Sequence, residues 1–164
     1  MAPSQGGASG TVHQISVSDG GVPKLPVPEA RITKDGVEGD RQRSLLYHGG
    51  RDRAVCLFSL EVIEALQDEG HPIISGASGE NLTLAGLDWA GLKPGARLSV
   101  GEAVQLEIMS YTVPCRLNAQ WFAKGEFSRI SHKKHPGWSR LYAKVLAEGR
   151  VKVGDAVVVT SEAR

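Results

Sequence analysis

Cysteine is scarce in this chain, with two residues in 164. Two thiols far apart in sequence make no disulfide framework, and they are too few to ligate an iron–sulfur cluster, which takes four. Long apolar runs are missing too: none approaches the ~20 residues that span a bilayer. The opening MAPSQGGASG has neither the basic nor the apolar region of a secretion signal. Residues 1–9 therefore read as a flexible start, followed by one domain over residues 10–160. No GxxxxGKS/T is present and no GxGxxG opens a helix, which removes the common nucleotide-binding loops. Aromatic residues make up 5% of the chain. No interleaved aromatic motif accompanies the basic residues, so nucleic acid is not an expected partner. These absences describe a cytoplasmic protein with reduced thiols and no membrane segment.

What is present is an ordinary globular composition, 41% hydrophobic and 23% charged, at a length that suits one core. The net charge of +1 hides an uneven distribution. Glu61 to Glu107 holds eight acidic and two basic residues. Trp121 to Lys152 holds eight basic and two acidic residues, with His132 and His135 besides. Such asymmetry marks either an anion-binding face or a solvated basic surface, and charge alone does not separate them.

Twenty glycines punctuate short apolar segments, the pattern of a barrel-like β fold. Thr11–Val17 reads as a strand that runs into the turn SDGGVPK. The three prolines of PKLPVPEA keep that stretch extended. RAVCLFS is a compact apolar strand that places Cys56 in the core. Ser59 is positioned to cap one clear helix, LEVIEALQDEG, which has Val62, Ile63 and Leu66 on one face and Gly70 to end it. ENLTLAGL, ARLSV, AVQLEIM, RLYAKVL and AVVVT read as further strands. The fold class is mostly β (α+β), a single domain with one or two peripheral helices.

Two regions carry candidate chemistry. In LEIMSYTVPCRLN, Leu106 and Ile108 alternate with Glu107 and Met109, as in a half-buried strand. Pro114 then stops ladder pairing. Cys115 is thus expected at a strand end facing a cleft, where Arg116 favours the thiolate. The alternative is a small buried hydrophobe. The stretch GVEGDRQRSLLYHGGRDRAV gathers Asp40, Arg41, His48, Asp52 and Arg53 around glycine turns, a setting for an anion site or for an exposed hairpin with ion pairs. Glu80 and Asn81 stand just before a strand, where a capped turn is the plainer reading. Cys115 with His132 and His135 has the donor types of a zinc site, but two lysines between the histidines oppose a cation there.

Taken in order, GVEGDRQ, HGGRDRAV, GENLTLAGLDW, VPC and VLAEGRVKVGDAV resemble the MOSC domain, named for the C-terminal domain of molybdenum cofactor sulfurase. The resemblance runs from about Gly10 to Val159 and is to the small stand-alone bacterial type. It implies a closed, strongly bent β-barrel whose cleft binds the molybdenum cofactor. Cys115, the cysteine of the Pro-Cys pair, is then the residue that ligates molybdenum or carries sulfur. The resemblance further implies that Lys24, Arg41 and Arg53 hold the cofactor's phosphate. Asn81 and Asp40 touch the pterin or the metal's oxygen ligands, Glu80 orients strands, and His48 is a supporting donor or proton source. Many relatives carry an arginine near the Pro-Cys pair, where this chain has Thr112 and Val113. That contact would pass to Arg116 or to the basic C-terminal segment.

Three functions are compatible with this pattern. One is a reductase of N-hydroxylated small molecules, which needs a separate electron-donor protein. The second is a carrier that accepts sulfur from a donor and holds a persulfide on Cys115. The third is a cofactor-binding module without chemistry of its own.

Overall fold

The computed structural model describes residues 8–41 and 50–163. His48 and most of the expected flexible start lie outside these residues. Among the described residues eleven strands are formed: β1 (Ser9–Val17), β2 (Leu25–Val27), β3 (Glu29–Thr33), β4 (Gly36–Val37), β5 (Val55–Ser59), β6 (Leu82–Ala85), β7 (Arg97–Val100), β8 (Val104–Tyr111), β9 (Leu141–Ala147), β10 (Gly149–Lys152) and β11 (Ala156–Ser161). Seven of them close a barrel in the order β11-β7-β8-β9-β5-β6-β1, with β1 pairing back to β11 from Ser9 opposite Val158. Strand β2 extends the sheet beyond β1, and β10, β3 and β4 form a small second sheet. The mostly β class and the closed barrel expected from the sequence are what the chain adopts.

All barrel pairings are antiparallel except β5 with β6, where Leu57 stands opposite Leu82. A parallel pair needs a crossover, and the helix α1 (Leu60–Asp68) lies in it. Ser59 caps this helix by accepting a hydrogen bond from the Val62 amide at 3.2 Å, and Gly70 leaves it at φ 98°. The expected boundaries of the helix are therefore those found. Ile63 and Leu66 bury its inner face against a core that includes Phe58, Leu82, Leu98, Leu106 and Ile108. Register shifts in β8 against β9, at Gln105/Leu106 and Ile108/Ser110, bend the barrel wall. Strand β9 passes through Glu148 into β10 and so leaves the barrel for the small sheet. Gly149 permits that bend, because a Cβ there would lie 2.7 Å from the Ala103 Cβ. The pairing of β10 with β3 was not read from the sequence, since four residues carry too little periodicity to announce a strand.

Candidate functional site

Three connections meet at one end of the barrel: the turn before β2, the run before β6, and the link from β8 to β9. Between them is a cleft open to solvent. Lys24, Arg41, Cys56, Ser78, Cys115, Asn118, Arg140 and Tyr142 contribute to its lining.

One wall is a saturated polar network. Lys24 is held by backbone contact with Gly76, whose carbonyl accepts from the Lys24 amide at 2.9 Å. Gly76 has φ +85° and lies so near Lys24 that a Cβ would meet the Lys24 carbonyl oxygen at 2.5 Å, so only glycine fits. Lys24 Nζ donates to Asp40 Oδ2 at 2.6 Å, and both side chains are buried. The Asp40 carboxylate also accepts from Asn81 Nδ2 at 2.9 Å and from the Ser18 amide at 2.9 Å. Asn81 then accepts from the Cys56 amide at 3.0 Å through Oδ1. Its own backbone joins Ser16 on β1 and Cys56 on β5, where β6 begins. Asn81 is thus more than a capped turn: it locks two barrel strands to the Lys24–Asp40 pair. Glu80 beside it is fully buried, accepts from the hydroxyls of Ser78 and Thr83 at 3.1 Å each, and has its pKa pushed up by burial.

The opposite wall is built from the β8–β9 link. Strand β8 stops at Tyr111, and Thr112 adds one further ladder bond, its amide donating to the Arg140 carbonyl at 3.0 Å. Cys115 therefore lies beyond the strand end expected for it, at the start of a 3-10 turn, Arg116–Trp121. Pro114 cannot donate to a ladder, which explains the break. The Cys115 carbonyl accepts from the Asn118 amide at 2.9 Å, and the thiol is half-buried at the cleft. Arg140 precedes β9 and donates through Nη1 to the Ser78 carbonyl at 2.6 Å and through Nη2 to the Val113 carbonyl at 3.5 Å. It is 5% exposed, and its Nε has no partner among the described residues. Asn118 is 2% exposed, and its Oδ1 has none either. The two walls differ in this respect: one has its polar atoms paired, the other leaves buried polar atoms open.

Of the residues singled out from the sequence, the structure brings Lys24, Arg41, Cys115 and, through Lys24, Asp40 and Asn81 to the cleft. Arg53 lies over the ring of Tyr142 at 5.7 Å. The Arg116 side chain is exposed and does not line the cleft. His132 stacks on Tyr111 at 3.5 Å, and among the described residues no three His, Cys, Asp or Glu side chains gather as a metal group. Cys56 is a buried core residue as expected, at 4% exposure and with its pKa raised by burial, and it also lines the cleft. Arg140, Asn118 and Tyr142 were not foreseen. Arg140 lies within the basic stretch noted in the sequence, and Asn118 three residues after Cys115, but neither signal told a buried side chain from a surface one. Burial pushes the Tyr142 pKa up to about 12.

The family model of the MOSC domain matches residues 45–158. This chain belongs to the MOSC domain family. It is 33% identical to YflK of Bacillus subtilis (strain 168) over 136 residues, covering 82% of this chain and 60% of that protein. It is 30% identical to YiiM of Escherichia coli (strain K12) over 128 residues, covering 75% of this chain and 55% of that one. The match thus spans a little more than half of each relative's own length. The crystal structure of YiiM from Geobacillus stearothermophilus superposes with a TM-score of 0.71 at 24% identity, covering 92% of this MOSC chain and 75% of the other. Among the described residues, no helix of the MOSC barrel is long and apolar enough to cross a membrane.

Proposed function

We propose that this MOSC protein binds a molybdenum cofactor in the cleft and reduces N-hydroxylated small molecules, with Cys115 as the protein's ligand to the metal. The observation that carries the reading is one cleft shared by the Cys115 thiol and three cations, Lys24, Arg41 and Arg140. A thiolate is the soft donor such a metal takes, and cations suit the phosphate of a pterin cofactor. When bound, the metal centre supplies the two-electron chemistry that no side chain of this chain provides. Arg41 and Lys24 hold phosphate, while Asp40 and Asn81 keep the Lys24 ammonium in place. Arg53 braces the Tyr142 ring. In the net reaction a hydroxylamino group takes two electrons and two protons and gives an amine and water. The electrons come from a separate donor protein, because two cysteines hold no iron–sulfur cluster. His48 is the candidate proton source.

A second reading has the half-buried Cys115 thiolate take the outer sulfur of a donor persulfide, releasing the donor as a thiolate, and pass that sulfur on to an acceptor in the same way. It is favoured by the open approach to this thiol and by the second thiol, Cys56, in the same cleft. Both readings place the protein in the cytoplasm, in keeping with two free cysteines. Metal, pterin and intact-mass analysis of protein from a molybdenum-competent host separates them. Stoichiometric molybdenum and pterin are expected, and Cys115→Ser is expected to remove the metal and the reductase turnover, because a hydroxyl stays protonated near neutral pH. A Cys115→Ser protein that keeps both would end the proposal. A persulfide on Cys115 without molybdenum would install the carrier.

A further inference from the structure

The link from β8 to β9 differs from the rest of the molecule in how it is held. Its residues 116–138 form three short 3-10 turns, Arg116–Trp121, Ala123–Gly125 and Phe127–Ile130, and no strand. Backbone hydrogen bonds there close within the link, as from the Phe122 amide to the Ala119 carbonyl at 3.1 Å and from the Ser131 amide to the Ser128 carbonyl at 2.9 Å. Among the described residues, none joins this backbone to that of a barrel strand. Asn118 Oδ1, Trp121 Nε1, Arg129 Nη1 and His132 Nδ1 are buried in the link without partners, four of the six such side-chain atoms among the described residues. Opening the link hydrates them, which lowers the cost of opening. Burial of Phe122 and Ile130 opposes it, together with a polar latch at the end of α1. In that latch the Glu69 carboxylate accepts from Arg129 Nε at 2.9 Å and from Nη2 at 2.8 Å. The Arg129 guanidinium lies over the Trp138 ring at 3.9 Å, and His71 Nδ1 accepts from the Ala123 amide at 3.0 Å.

We infer that this link is a strap that opens as one unit, latched to α1 by the Glu69–Arg129 pair, and that its opening controls access to the inner wall of the cleft. Its base is the bond from the Thr112 amide to the Arg140 carbonyl, where the β8–β9 ladder ends. Cys115, Leu117 and Asn118 line the cleft from the strap, and Cys56 and Ser78 line it from the barrel. The Cys56 thiol touches Thr112 Oγ1 at 3.8 Å and is buried, so a reagent reaches it once the strap has moved. The latch itself is partly exposed, with the Glu69 side chain 37% accessible, so it can be cut without disturbing the apolar core. A strap of this kind serves any occupant of the cleft and does not depend on the reductase reading.

Hydrogen exchange of the full chain over a series of low urea concentrations tests this. The hydrogen-bonded amides of residues 116–138 are expected to exchange together, faster than those of β5 and β8. Their urea dependence should also be weaker, because the opening exposes little surface. Glu69→Gln keeps the shape of the side chain and loses its charge, and it should speed exchange of the strap about tenfold, the size of one charge-assisted hydrogen bond. Arg129→Lys should act in the same direction, since an ammonium cannot reproduce the two-pronged contact. Iodoacetamide labelling of Cys56 is followed in a Cys115→Ser background, so that no adduct on Cys115 fills the cleft. That slow labelling should rise by the same factor as strap exchange and share its weak urea dependence. Lys133→Ala, at an exposed position of the strap, should change neither rate. Strap amides as protected as those of β8, or strap exchange that Glu69→Gln leaves unchanged, would overturn the inference. Cys56 labelling with the steep urea dependence of global unfolding would overturn it equally.

Discussion

The two walls of the cleft solve the problem of buried polarity in opposite ways. The Lys24–Asp40–Asn81 wall uses Asp40 as a hub, which takes hydrogen bonds from an ammonium, an amide side chain and a backbone N–H. The Arg140–Asn118 wall has comparable burial but leaves Nε and Oδ1 open. A saturated network rigidifies, whereas a half-satisfied one destabilises unless something else completes it. The first wall thus holds the barrel end in shape, and the second carries the cost of two buried polar atoms without partners.

Breaking the saturated wall should have the largest effect. Asp40→Ala strands a buried ammonium, so urea denaturation should show a loss of about 3–5 kcal/mol. A loss under 1 kcal/mol would mean that Lys24 swings out to water and that the wall is not rigid. Next comes Tyr142, which lines the cleft alongside both walls. Its pKa is raised from 10.0 to about 12 by burial. A raised pKa contributes stability that is full below the unfolded value and is lost as pH rises through the folded one. Stability should therefore fall by roughly 2–3 kcal/mol between pH 10 and 12, and Tyr142→Phe should flatten that fall relative to wild type. Identical slopes in the two proteins would show the phenol to be solvated.

Arg41→Ala should weaken cofactor retention about ten- to a hundredfold without unfolding the barrel, as a charge-assisted phosphate contact of ~1.5–3 kcal/mol implies. Unchanged pterin content would reduce Arg41 to an exposed surface charge worth ~0–1 kcal/mol. The smallest change in stability is expected on the open wall. Asn118→Leu removes the unpartnered Oδ1, and its melting temperature should stay within about 2–4 °C of wild type or rise, since ~1 kcal/mol shifts a domain of this size by that much. A fall as large as that of Asp40→Ala would show Asn118 to be structural and erase the contrast between the walls. The thiols sharpen the contrast further: iodoacetamide should label Cys115 and spare Cys56, which is 4% exposed and has its pKa raised by burial.

The apolar periodicity and the turn residues determined most of the fold by themselves. The alternation of Leu106 and Ile108 with Glu107 and Met109 is the inside–outside pattern of β8, and Ser59 with Gly70 sets both ends of α1. These are local rules, in which neighbours in sequence decide one another's conformation. The ordered motifs likewise marked the family. What the sequence could not decide was which residues meet. Cys56 reads as an ordinary core position between Val55 and Leu57, and only barrel closure turns it to the cleft wall opposite Cys115. Arg140 lies in a basic stretch whose other members are largely exposed, and only the pairing of Thr112 with Arg140 carries its guanidinium under the Cys115 turn. Burial of a charge depends on residues more than twenty positions away, so no local pattern announces it; tertiary contact alone decides it.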